Sequence, residues 1–211
     1  MSNEMRQADL IQACLDVVLG DVCGKKWALL DFPSHANVGD SAIWMGTLRI
    51  LQKRFGSLPA LVSRNKAFPN CVDECVGDRL LVLHGGGNFG DVWDGFWQNR
   101  INVLRQFPNS KIVQMPQSIH FENIFGSALL DTQRAIASHR DFTLLVRDRV
   151  SLEFSRKNFD CPAYLCPDMA FGLGRLRWAN GPTCDILALL RADKEKKAHF
   201  DTDMSGEAGI E

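Results

Sequence analysis

Leu80-Leu81-Val82-Leu83-His84-Gly85-Gly86-Gly87-Asn88-Phe89-Gly90-Asp91 is an apolar run that breaks into glycines tipped with an amide and a carboxylate. It reads as a buried strand opening into a glycine-rich loop, the place where α/β proteins bind ligands. Glycine admits positive φ and lets backbone N–H groups come close to a substrate. Gly85, Gly86 and Gly87 are therefore candidate binding residues. Asn88 and Asp91 bring an amide and a carboxylate to the strand's carboxyl end. The spacing Gly85-x-Gly87-x-x-Gly90 also matches a dinucleotide fingerprint. About 20 residues further on, where an acidic group would hold a ribose, stand Arg105, Phe107 and Pro108 instead. A ligand loop of another kind and a purely structural turn both remain open.

The same unit recurs on either side of this stretch. On the amino-terminal side, Met5, Ala8, Ile11, Leu15 and Val18 mark a helix stopped by Gly20, and a first strand follows over Trp27–Phe32. A polar loop with Asn37, Gly39 and Asp40 leads into a helix whose face is Ile43, Trp44, Thr47, Leu48 and Leu51, with Asp40 or Ser41 as its cap. Residues 58–62 form a short second strand, and 66–78 are irregular. On the carboxyl-terminal side, Trp97, Ile101 and Leu104 give a helix face. Residues 111–115 then give a strand that ends in Pro116-Gln117-Ser118-Ile119-His120-Phe121. A helix carrying Phe125, Ala128, Leu129, Thr132 and Ile136 comes next, followed by a strand over Phe142–Val146 that ends in Arg147-Asp148. A helix over 150–158 and a strand over 163–166 that meets Pro167-Asp168 complete the pattern. Strands and helices in alternation predict a Rossmann-like parallel sheet with helices on both faces. Residues 1–175 form that domain, 176–183 a linker, and 184–211 a fresh strand with a polar tail.

Composition narrows the function. The 211 residues are 45% hydrophobic and 23% charged, the balance of a folded globular protein. With 24 basic against 25 acidic residues the net charge is -1, so no bulk field holds nucleic acid or an acidic membrane surface. Any anion site must be local. The amino terminus is charged and helix-patterned, and no apolar run approaches the roughly 20 residues of a membrane span, which places the protein in the cytoplasm. Seven cysteines without a secretion signal read as free thiols. Cys71-x-x-x-Cys75 and the Cys161, Cys166 pair lack the histidines of a zinc site, so no metal is expected.

The candidate side chains each carry two readings. An amide and free N–H groups at Asn37 and Gly39 suit a phosphate or carboxylate, or simply cap the helix. His120 is placed for general acid or base work, or packs as an ordinary imidazole, and His84 has the same standing. Arg147, ending an apolar strand, offers a fork to an anion or pairs with Asp148 or Asp168. Asp168 is a cap, a partner for Arg147 or a site carboxylate.

Five segments together resemble the polysaccharide pyruvyl transferase family. They are Asn37-Val38-Gly39-Asp40, His84 through Trp93, Pro116-Gln117-Ser118-Ile119-His120-Phe121, Val146-Arg147-Asp148 and Cys166-Pro167-Asp168-Met169-Ala170. The resemblance implies one half of a two-domain fold similar to GT-B glycosyltransferases. It implies transfer of the pyruvyl group of phosphoenolpyruvate onto two sugar hydroxyls of a glycan or lipid-linked acceptor, giving a ketal and phosphate without an organic cofactor. It also implies a binding set drawn from Asn37, Gly39, Asp40, His84, the three glycines, Asn88, Gln117, Ser118 and Asp168, with Arg147 on the donor's anionic groups and His120 moving the proton beside Asp91 or Asp40. Family members usually continue through a second domain, of which 184–211 reads as the first, truncated piece. Without that half the cleft lacks a wall and part of its charge stabilisation. Two rival readings are a nucleotide-sugar glycosyltransferase of related architecture and a non-catalytic binding domain.

Overall fold

A computed structural model describes residues 6–64, 80–93 and 95–175. The expectations for 66–78 and for 176–211 lie outside the described residues. Seven strands form one sheet in which every described pairing is parallel: β1 (Trp27–Phe32), β2 (Leu61–Arg64), β3 (Leu80–Leu83), β4 (Gly86–Gly90), β5 (Lys111–His120), β6 (Phe142–Val146) and β7 (Ala163–Leu165). The order is β2-β1-β3-β5-β6-β7, and β4 pairs with β5. The helices are α1 (Gln7–Leu19), α2 (Val38–Phe55), α3 (Phe96–Gln106), α4 (Ser127–Ala137) and α5 (Arg149–Asn158), followed by a 3-10 turn over Met169–Leu173. None of these helices is long and apolar enough to cross a membrane.

Continuous apolar strands are what a sheet covered on both faces requires. Alternate residues of each central strand serve opposite cores. Ala28, Leu30, Leu81, Leu83, Leu144 and Val146 pack with α3 and α4, whereas Trp27, Leu29, Leu80, Val82 and Leu145 pack with α1 and α2. In the second core the rings of Trp27 and Phe55 stack 4.9 Å apart. Helix α1 ends at Gly20, φ +63°, and α2 ends at Gly56, φ +73°, both left-handed positions that suit glycine.

The glycine-rich segment departs from expectation. It is strand β4, which takes up the line of β3 after a break at His84 and Gly85 and pairs with the far half of β5. Strand β5 correspondingly runs past Pro116 to His120. Proline cannot donate to a ladder. Here it falls where the register jumps from Gln114 to Gln117, so the sheet loses no bond at that residue. Two boundaries also shift. The second strand is Leu61–Arg64, and α4 begins at Ser127, which leaves Phe125 85% exposed ahead of it.

A candidate active site at the carboxyl ends of the strands

With β2 on one side of β1 and β3 on the other, the chain leaves β1 and β3 in opposite directions. Such a switch point is where doubly wound sheets bind their ligands, outside the carboxyl ends of the strands. Helix α2 begins there. Its cap is Asn37, whose side chain accepts from the Gly39 N–H at 2.9 Å, one turn earlier than the expected Asp40 or Ser41. Asparagine's short amide closes an Asx turn, and Asp40 then falls in the first helical turn, where the helix dipole favours a carboxylate. Asp40 Oδ2 lies 3.7 Å from His35 Nε2, and Asp40 Oδ1 would stand 3.2 Å from a Cβ placed on Gly86.

Arg147, at the end of β6, is held by two hydrogen bonds. Its Nε donates to Ser118 Oγ at 2.9 Å and its Nη1 to Asp168 Oδ2 at 2.7 Å. Ser118 Oγ donates onward to Asp148 Oδ2 at 2.7 Å, while Asp148 Oδ1 caps α5 through the Ser151 N–H. Burial pushes the Asp148 carboxyl up, but the bonds from Ser118 and Ser151 and the Arg147 charge outweigh it and hold the group below the usual carboxylate range. Asp168 also caps the 3-10 turn by accepting from the Ala170 N–H at 2.8 Å. The remaining arginine nitrogen, Nη2, would sit 3.2 Å from a Cβ on Gly87. A Cβ on these consecutive glycines of β4 would press on Asp40 at Gly86 and on Arg147 at Gly87.

Beneath β4 lies a polar layer. Arg100 of α3 is 3% exposed, and its Nε donates to Gln114 Oε1 at 2.9 Å. Its Nη1 donates to the Asn88 carbonyl at 3.0 Å and its Nη2 to Asn88 Oδ1. Gln117 Nε2 donates to Asn88 Oδ1 at 3.1 Å and to the His84 carbonyl at 3.0 Å. His84 is 2% exposed, with neither ring nitrogen hydrogen-bonded, and burial together with the Arg100 and His35 charges pushes its pKa down to about 3. It is a neutral imidazole beside the Trp44 ring. At the end of β1, Asp31 adopts φ +71° with Oδ1 unpartnered, and burial raises its pKa.

The structure therefore brings Asn37, Gly39, Asp40, Gly86, Gly87, Ser118, Arg147 and Asp168 to one rim, with Gly85, Gln117 and Asn88 along the same ribbon and His84 below it. His120 and Asp91 stand apart, at the far tip of the β4–β5 ribbon, where Gly90 pairs with His120. His120 is exposed, and both Asp91 oxygens accept backbone N–H bonds, from Glu122 at 2.7 Å and Asn123 at 3.1 Å. Sequence reading passed over Arg100 and Asp31, yet both carried a signal. Arg100 sits three residues after Trp97 on an apolar helix face, and Asp31 interrupts an apolar strand. Among the described residues no group of three or more His, Cys, Asp or Glu side chains is placed to hold a metal ion.

Residues 37–205 match the family model described as polysaccharide pyruvyl transferase. Pyruvyl transferase 1 of Schizosaccharomyces pombe is 31% identical over 183 residues, covering 81% of this chain and 45% of its own length. EpsO of Bacillus subtilis is 30% identical over 174 residues, 78% of this chain and 50% of its own. General stress protein 30 of Bacillus subtilis is 26% identical over 181 residues, 82% of this chain and 52% of its own. The chain spans about half the length of the curated relatives it matches.

Proposed function

Because this chain belongs to the polysaccharide pyruvyl transferase family, we propose that its strand-end rim receives phosphoenolpyruvate as donor, for transfer of the pyruvyl group to a glycan or lipid-linked sugar. The observation that carries this reading is the meeting of Asp40, Gly86, Gly87, Ser118, Arg147 and Asp168 at one rim. A small donor bearing both phosphate and carboxylate needs a fixed cation and close backbone approach. Arg147, pinned on two sides with Nη2 toward the glycines, supplies the first, and β4 supplies the second. Forming a ketal requires a base at the attacking sugar hydroxyl and an acid at the donor's methylene carbon. In this reading Asp40, the carboxylate nearest the glycines, is the group at hand to move the proton, and His120 and Asp91, at the far tip of the ribbon, take no part at this rim. The reading needs no organic cofactor and places the reaction in the cytoplasm. The matched region is about half of each relative's length, and in this reading a second Rossmann-like half completes a GT-B-like cleft.

A ligand that prefers the folded state raises the melting temperature. Phosphoenolpyruvate is expected to raise it for the wild-type chain and not for Arg147→Ala. A shift with UDP-sugars and none with phosphoenolpyruvate would point to a nucleotide-sugar glycosyltransferase instead. Phosphate release with excess protein and a sugar acceptor then tests turnover directly.

A further inference from the structure

The guanidinium of Arg100 is a buried cation without a salt bridge among the described residues. Among the described residues its three nitrogens donate only to neutral oxygens, those of Gln114 and Asn88, and its Cζ lies 4.9 Å from the centre of the Phe89 ring. Burial lowers its pKa to about 10, against the opposing pull of the Asp31 charge, which leaves it charged at neutral pH. A buried charge hydrogen-bonded only to neutral oxygens, with its counter-charge outside salt-bridge range, is costly, and a fold keeps one where something else answers it.

The bonds around Asn88 indicate what answers it. Asn88 Oδ1 accepts from Arg100 Nη2 and Gln117 Nε2 at once, which fixes which end of the amide is oxygen. The amide nitrogen makes no hydrogen bond among the described residues, and Asn88 is partly exposed. We infer that Arg100 is a positioning residue: it clamps Asn88 by its oxygen so that the amide N–H groups are presented, polarised by the buried charge, to an oxyanion of the bound ligand. The inference rests on the reading of this rim as an anion site and adds to it a specific donor and the residue that aims it.

The test uses the full 15N-labelled chain. The Asn88 side-chain N–H pair is assigned by its loss in Asn88→Asp, and the chain is titrated separately with phosphoenolpyruvate and inorganic phosphate. The pair is expected to move with both anions. Asn88→Asp replaces the donors with a carboxylate that neutralises Arg100, so it should melt at a higher temperature yet bind either anion at least tenfold more weakly. A purely structural Arg100 would give the first effect without the second. In Arg100→Lys, which keeps the charge and loses the fork, the Asn88 pair should shift toward the position of a free amide, with weaker anion binding. An Asn88 pair unmoved by either anion overturns the inference, as does wild-type binding in Asn88→Asp. If phosphoenolpyruvate binds elsewhere and leaves Asn88 still, the inference fails while the donor assignment stands. Movement with phosphate alone keeps the inference and removes phosphoenolpyruvate as donor.

Discussion

At the scale of single residues, the polar groups that matter most are those the core hides. His84 is held neutral, so the unfolded chain binds a proton there below about pH 6.5 that the folded chain refuses until about pH 3. Stability contributed by this burial is complete above that window and falls as pH drops through it, by up to about 1.4 kcal/mol per pH unit. Asp31 opposes this, because its raised pKa means the folded form keeps a proton that the unfolded form releases. His84→Gln should therefore show a flatter decline of urea midpoint between about pH 7 and about pH 5 than the wild type. Equal slopes would mean that the imidazole is not buried neutral. The strand-end positions of Asn37, Arg147 and Asp168 were legible because a polar residue closing an apolar run marks a strand's exit. The orientation of Asn88 was not legible, since it depends on Arg100 and Gln117, which are adjacent only in the folded chain.

At the scale of elements, glycines decide two contacts that no periodicity announces. Strand β4 consists largely of glycine, which lacks the branched or aromatic side chains that signal a strand. Its pairing is driven by β5, where Gly90 at φ +148° crosses so close that a Cβ would lie 1.6 Å from the His120 carbonyl oxygen. The other contact joins α2 to the 3-10 turn, where a Cβ on Gly46 would meet the Met169 carbonyl oxygen at 1.9 Å. Replacing glycine by alanine inside a helix ordinarily stabilises by about 1 kcal/mol. Gly46→Ala should do the reverse, destabilising by roughly 1–3 kcal/mol through overpacking and loosening the Asp168 hold on Arg147. Denaturant titration decides the sign, and a more stable Gly46→Ala would refute the close approach. The sequence predicts a strand over 111–115, whereas β5 runs on to His120. Only the partner strands reveal that Pro116 occupies a gap in the ladder.

At the scale of the whole molecule, fold class was the most readable property, since alternation of apolar strands and amphipathic helices predicts a parallel sheet, and β1 and β6 have the predicted boundaries. Helix α1 is part of the second core, burying Ile11, Leu15, Val18 and Leu19. Removing residues 1–19 should uncover that face and give a chain that aggregates, where the intact chain stays monodisperse in light scattering; a soluble, cooperatively melting truncation would show the helix to be dispensable. The two-sided sheet has one more consequence. In a sheet with one wet face, a one-residue slip exposes apolar side chains on a single front. Here the same slip in β1 or β6 sends the tenants of each core to the other, and two packings fail together. Single-codon insertions and deletions within these strands are therefore doubly penalised, so length variation among descendants of this gene should collect in the turns, and the spacing inside 27–32 and 142–146 should stay unaltered.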